Sequence, residues 1–252
     1  MVAGIEKFRE YFAGHEDQYV LIGGAACHLL FDEADLQFRV SKDIDMVLCV
    51  EVVDAAFGSA FRAFLDEGGY QARERSSGHK EFYRFHRPTD PRFPFMLELF
   101  SRGAEVINMS KSAELTPVPV EGDVISLSAI LLNEDYYEAI QVAKKQVDGV
   151  TIIDETLLIP FKARAFLDLT ARREAGEKVS GSDIKKHRND VFRLVELLLE
   201  STSVEVSDLL REDIKRFVEL VKDDDTLDPQ AFGVTIDRDE AISIIRNTYG
   251  LT

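Results

Sequence analysis

The first half of the chain alternates short apolar runs with polar breaks, and the second half carries long stretches of helical periodicity. The opening MVAGIEKFREYF reads as a short amphipathic helix. Tyr19–Ile22 is an apolar run that breaks on Gly23-Gly24, and residues 25–31 follow as an apolar, helix-like segment. A polar loop with Asp32, Glu33 and Asp35 comes next. Arg39-Val40-Ser41-Lys42 then leads into residues 43–50, which read as a buried strand. Residues 52–67 have helical spacing and stop at Gly68-Gly69, with Phe57, Phe61 and Phe64 expected in the core. Residues 70–75 and 81–86 read as two strands joined by Ser76-Ser77-Gly78. A Pro-rich connector over 87–94 precedes a short apolar strand over 95–100 with Glu98 in its middle.

Residues 104–123 are irregular, and 127–132 and 136–145 are apolar and aromatic. Residues 146–153 carry a hairpin signal, because Asp148-Gly149 between β-branched residues suits a type I′ turn. No strand pattern follows. Asp154 caps a long helix that stops at Gly176, with Pro160 as a possible kink; Ser182 caps a second and Ser207 a third. Residues 237–249 open on an Asp-x-x-Glu pair like a capping box and form a last helix. The expected fold class is α+β: a mixed sheet with flanking helices over residues 1–153, and a helical domain over 154–252 packed against it.

Composition changes this picture little. With 252 residues and 45% apolar content, the chain is long enough to bury a full core. No apolar run approaches the ~20 residues of a membrane span, and the start lacks the apolar core of a secretory signal. Cys27 and Cys49 both sit in apolar runs, so buried reduced thiols and a cytoplasmic location are expected. The net charge of −16 disfavours wholesale binding to a polyanion and leaves room for a local basic groove. His28, His79 and His86 have no ligand spacing and read as surface or capping histidines.

The candidate chemistry starts at Asp43-Ile44-Asp45. A strand alternates its faces, so the two carboxylates point the same way with α-carbons roughly 7 Å apart. Like charges that close repel, and a shared divalent cation relieves them. Hard oxygen donors at this spacing suit Mg²⁺ or Mn²⁺. Glu98, a lone acid in a buried strand, is costly unless paired. It either pairs with a nearby arginine or joins Asp43 and Asp45 as a third metal acid.

Gly-Gly, a helix, then Asp-x-Asp on a strand, in the context Arg-x-Ser-x-Asp-x-Asp, resembles the nucleotidyltransferase superfamily with its polymerase-beta-like fold. The resemblance implies that Gly23 and Gly24 line the triphosphate. It also implies that Asp43, Asp45 and Glu98 hold metal, with Ser41 and Lys42 beside the same phosphates. The interval between Gly24 and Asp43 is longer than in the shortest family members, which marks the acidic loop as an insertion.

A basic stripe runs from Lys162 to Arg193 in an otherwise acidic chain. Lys186 and Asp190 are four apart and share a helix face. The stripe reads either as a solvated helical face or as part of a site. Lys162-x4-Leu167, with Arg172 further on and then Lys186-x3-Asp190, resembles the later motifs of the abortive-infection nucleotidyltransferase toxins of type IV toxin–antitoxin pairs. That resemblance implies that Lys162 and Lys186 hold nucleotide phosphates, and that Asp190 positions a lysine or acts as base. The family's Asp after the motif lysine is His187 here.

The expected activity is metal-dependent transfer of a nucleoside monophosphate from an NTP to an acceptor hydroxyl. The acceptor stays open among an RNA end, a protein and a small molecule, and a cognate antitoxin is a possible partner. The alternative is a catalytically degenerate protein of the same fold that binds nucleotide or a protein partner.

Overall fold

The computed structural model describes residues 2–49, 54–72, 82–100, 133–199 and 201–251. His79, the Ser76-Ser77-Gly78 turn, residues 104–123 and 127–132, and the outer parts of the neighbouring expected strands lie outside the described residues. The fold is α+β, with a mixed sheet and flanking helices. In chain order the first elements are α1 (Ile5–Phe12), β1 (Tyr19–Ile22), α2 (Gly23–Glu33), β2 (Asp43–Leu48) and α3 (Ala55–Gly68). Next come β3 (Gln71–Ala72), β4 (Phe82–His86), β5 (Met96–Phe100), α4 (Glu134–Ala143), β6 (Lys144–Val147) and β7 (Val150–Ile153). The rest is helical: α5 (Glu155–Glu174), α6 (Gly181–Val195), α7 (Asp208–Val221), a 3₁₀ turn (Pro229–Phe232) and α8 (Arg238–Thr248).

The chain divides into two compact units. One holds Met1–Val120 and Lys144–Ile153, the other Glu121–Ala143 and Asp154–Thr252. The first unit carries the sheet, in the order β3-β4-β5-β2-β1-β7-β6. β2 lies between β1, antiparallel to it, and β5, parallel to it, and β7 runs parallel to β1 on the other side. The hairpin β6–β7 turns at Asp148 and Gly149, both with positive φ (50° and 73°), as a type I′ turn demands. β6 begins at Lys144, two residues before the expected start, so the strand takes the end of the apolar run over 136–145.

Pleating separates the two faces of the central strands. Tyr19, Leu21, Ile44, Met46, Leu48, Leu97 and Leu99 share one face and are fully buried. Against Tyr19 and Phe85 of that face pack rings from α1 and α3: Phe8 to Tyr19 at 5.2 Å, Phe12 to Phe64 at 5.5 Å and Phe61 to Phe85 at 5.6 Å between centroids. Ile5, Phe8 and Phe12, and likewise Phe57, Phe61 and Phe64, recur at helical spacing, which is why each helix offers one aromatic stripe. Asp54 starts α3 by accepting from the Phe57 N–H, a bond that holds its carboxyl below the usual range, and Gly69 ends it in the left-handed region.

In the helical unit α5 packs on α6 and α7. Pro160 lies inside α5 and removes the N–H that would reach the Thr156 carbonyl. The Tyr249 hydroxyl donates to that carbonyl at 2.8 Å. Complete burial pushes the Tyr249 phenol well above its ordinary pKa. The helix is continuous over Glu155–Glu174, so the expected interruption is absorbed by a side chain from the C-terminal segment. Two helix boundaries differ from expectation. α6 is capped by Ser180, which accepts from the Ser182 N–H, so Ser182 is already inside the helix. α2 runs on to Glu33, so Asp32 and Glu33 belong to its last turn and not to a loop.

Phe64 touches Phe8, Phe12, Tyr70 and Phe93, the last at 5.0 Å. Phe64→Ala is expected to destabilise the chain by about 3–5 kcal/mol. Urea denaturation followed by circular dichroism measures this, and a loss below about 1 kcal/mol contradicts the shared aromatic core.

Candidate functional site

The face of the sheet opposite the aromatic cluster carries the acids. Asp43 and Asp45 alternate with the fully buried Ile44, and both are half-buried. Asp45 is in parallel register with Glu98, and Asp43 with Met96, so the three acids share one face of two adjacent strands. Glu98 is 3% exposed. On the other side of β5, the ladder sets Arg84 opposite Glu98 and His86 opposite Met96. Among the described residues, no group of three or more His, Cys, Asp or Glu side chains is arranged to hold a metal ion. The donor set itself is hard oxygen, the chemistry that Mg²⁺ or Mn²⁺ takes.

The β1–α2 bend closes on these acids. Ile22 at the end of β1 is the register partner of Asp45. The next residue, Gly23, turns the chain with φ of +69°. A Cβ on Gly23 would fall 2.0 Å from Oδ2 of Asp45, so only glycine lets the carboxylate sit against the backbone there. A Cβ on Gly24 would fall 2.8 Å from the Ser41 hydroxyl and 3.6 Å from the Arg39 guanidinium. Ser41 is buried and donates to the Asp43 carbonyl at 3.2 Å, while Lys42 is exposed. The diglycine, Ser41 and Asp45 therefore meet around one backbone corner.

The start of α2 has no side-chain cap and no acid in its first turn. By contrast α3, α5, α6, α7 and α8 are each capped by an Asp or Ser side chain. An uncapped start leaves its first N–H groups for water or an anion, and the helix dipole favours the anion. Sequence reasoning assigned no role to Arg39. Its signal was the Arg-x-Ser spacing, and the structure adds a stack in which its guanidinium lies 5.2 Å from the Phe38 ring, itself 4.9 Å from Phe31 of α2.

His28, expected at the surface or as a cap, is 3% exposed, with Nε2 3.3 Å from Asp32 one turn on. The apolar environment of α2 takes the imidazole inward, with Asp32 at its solvent end within ion-pair distance. His86 is half-buried.

Lys162, Lys186 and Asp190 belong to the helical unit. Lys162 is 4% exposed, and its ammonium lies 3.4 Å from Oδ2 of Asp190. The other oxygen of Asp190 lies 3.2 Å from Nη1 of Arg193. Asp190 is fully buried, so this is a desolvated carboxylate held between two cations. Lys186 is exposed, one turn before Asp190 on α6. His187, next to it, is buried.

No protein-family model matches the chain, and no curated protein matches it. Among solved structures it is similar to an antigenic nucleotidyltransferase-like protein from Paracoccidioides brasiliensis, with a TM-score of 0.46 and 15% identity over 98% of this chain and 94% of that one. No described helix is long and apolar enough to cross a membrane.

Two substitutions probe this geometry. Gly23→Ala forces an L-residue into the left-handed region and displaces the Asp45 carboxylate, which should destabilise by about 1–2 kcal/mol or more. Asp190→Ala strips Lys162 and Arg193 of their shared partner and should cost about 3–5 kcal/mol, whereas Lys162→Met, which leaves Asp190 its arginine, should cost clearly less. Denaturant midpoints rank all three, and a Lys162→Met loss as large as that of Asp190→Ala contradicts the shared-carboxylate reading.

Proposed function

We propose that the chain is a metal-dependent nucleotidyltransferase, moving a nucleoside monophosphate from an NTP to an acceptor hydroxyl. The observation that carries this reading is the corner at Gly23, where a Cβ-free backbone and an uncapped helix start lie directly against Asp45. A polyphosphate needs a close approach to backbone N–H groups, and the uncapped start of α2 leaves its first N–H groups for an anion. The carboxylates alone would repel it, and a cation shared between phosphate and acid removes that repulsion.

In this reading Asp43, Asp45 and Glu98 hold Mg²⁺ or Mn²⁺, which calls for the three side chains to converge. Such a cation, when bound, neutralises charge on the phosphates and activates the acceptor oxygen. Everything else falls to positioning, because phosphoryl transfer asks for in-line geometry and little covalent chemistry from the protein. Gly23 and Gly24 bring the phosphates to the start of α2. Ser41 holds the chain before Asp43 through its bond to the Asp43 carbonyl, which sets the direction of the first acid. Lys42, exposed beside them, supplies a mobile positive charge to the same phosphates.

The roles proposed for the helical unit differ in strength. Lys186 is exposed and able to meet a phosphate. Lys162 is buried against Asp190, so its part is to share that carboxylate, with Asp190 as the group that positions the lysine. The acceptor class and any antitoxin partner stay as open proposals: an RNA end, a protein hydroxyl or a small molecule would each satisfy the chemistry.

Incubation with each labelled NTP, Mg²⁺ and total RNA, protein or an aminoglycoside, followed by sizing of the products, tests the reading. One NTP should label one acceptor class, and Asp45→Ala should abolish the label while circular dichroism stays unchanged. Full labelling by purified Asp45→Ala removes this acid from the reaction. Metal-dependent NTP binding with no labelled product would instead mark a binding protein of the same fold.

A further inference from the structure

A second candidate site lies wholly within the helical unit. A groove of about 500 Å³ opens between the C-terminal half of α5 and the N-terminal half of α6, and the segment after α7 closes one side. Its floor is apolar, made by Phe166 and Ile184. Its rim carries Arg173, Lys185 and Arg188 against Glu174 and Asp224. This volume lies in the range of pockets that take small organic ligands.

The charges around the groove are unevenly satisfied. Most cations of the basic stripe have a carboxylate: Lys162 and Arg193 share Asp190, Arg164 reaches Asp213 at 2.9 Å, and Arg172 reaches Glu177 at 2.8 Å. Within the groove itself, Arg188 is held by Asp224 at 2.8 Å. Asp224 is a strong acid, because the Thr226 hydroxyl and backbone N–H hold its carboxyl below the usual range. Arg173 and Lys185 have no carboxylate partner among the described residues, in a chain with 46 acids against 30 Lys and Arg. Both line this one groove.

Both cations also lie near the start of α6. The Arg173 guanidinium lies so close to Gly181 that a Cβ there would fall 3.1 Å from Nη1. Gly181 opens α6, so a cation sits at the positive end of a helix, with Lys185 one turn further in. A bound anion turns this repulsion into attraction. An inorganic anion alone would leave the floor of Phe166 and Ile184 unused, so the ligand that fits has a polyphosphate for the rim and an organic ring for the floor.

We propose that the α5–α6 groove is a binding site for a small organic polyphosphate of nucleotide size, with Arg173 and Lys185 as its phosphate ligands. The site needs no metal and stands independently of the carboxylate corner in the other unit. Arg188, fixed by Asp224, orients one wall, and Glu174 is the acid that limits how much negative charge the rim accepts.

Calorimetric titration of the full chain in EDTA, with ADP and separately with inorganic tripolyphosphate, tests this. EDTA withholds the divalent cation that the carboxylate corner requires, so heat under these conditions reports the groove. ADP should bind, and more tightly than tripolyphosphate. Arg173→Ala/Lys185→Ala should weaken both by about tenfold or more. Both side chains are exposed and without ion pairs, so the double variant should keep the parent melting temperature. Lys215→Ala, an exposed cation elsewhere in the unit, should leave binding unchanged. Absence of binding, full binding by the double variant, or an equal loss in Lys215→Ala overturns the site. ADP binding no tighter than tripolyphosphate overturns the part given to the apolar floor.

Discussion

The contact between Gly23 and the Asp45 carboxylate constrains more of the sheet unit than any other. β1 must end where β2 begins its acids, since Ile22 and Asp45 are register partners. The chain must then turn at once, because α2 starts at the next residue. A positive φ at Gly23 makes the turn, and the missing side chain leaves room for the carboxylate. A side chain there would displace the Asp45 carboxylate, and a one-residue slip of β2 would put Ile44 on the acid face and the acids into the aromatic core. The aromatic packing of α1 and α3 and the acid face are thus two consequences of one register.

The helical unit is organised by a different economy, that of buried polar groups which satisfy one another. Asp190 is ion-paired with Lys162 and accepts from Arg193, and Asp213 accepts from Arg164 and from the Tyr136 hydroxyl at 2.9 Å. Burial and the neighbouring Asp213 raise the Tyr136 phenol far above its ordinary pKa, so it stays a donor. Each carboxylate carries two partners, the arrangement that offsets the desolvation of a buried charge. These networks fix which faces of α5, α6 and α7 meet, and they use up most of the cations that the sequence concentrates there. Among the cations they leave over are Arg173 and Lys185, which give the groove its character.

Much of the fold was legible because local signals agreed with it. The aromatic stripe of α3, the Asp148-Gly149 turn, and the caps at Asp154, Ser207 and Asp237 all depend on neighbours within a few residues. Misreadings arose where a distant group intervened. Pro160 reads as a kink until Tyr249, 89 positions later, is seen to occupy the freed carbonyl. His28 reads as a surface or capping residue because it has no ligand spacing, and only the burial of α2 in the sheet unit turns it inward. Ser182 reads as a cap, and the Ser180 side chain, accepting from the Ser182 N–H, starts the helix earlier. For the candidate site, the same-face geometry of Asp43 and Asp45 follows from strand pleating alone. Their pairing with Glu98 needed the parallel β2–β5 ladder, which no local pattern announces. Arg39 was missed because its place depends on the ring of Phe38 leaning on α2.

The two faces of the central strands divide stability from chemistry. On one, fully buried aliphatic side chains and a layer of phenylalanines bind α1 and α3, and the burial of each ring contributes about 1.5–3 kcal/mol. On the other, half-buried acids sit at the strand start, where pairing ends and backbone groups become available to a ligand. The aromatic side makes the acid side affordable: three carboxylates on adjacent strands are destabilising by themselves, and a rigid, well-packed layer behind them holds their backbone in place. The register stands on the backbone ladders and on buried apolar residues of both faces, Val20, Ile22 and Val47 among them on the acid side, and it is this register that sets Asp43, Asp45 and Glu98 on one face.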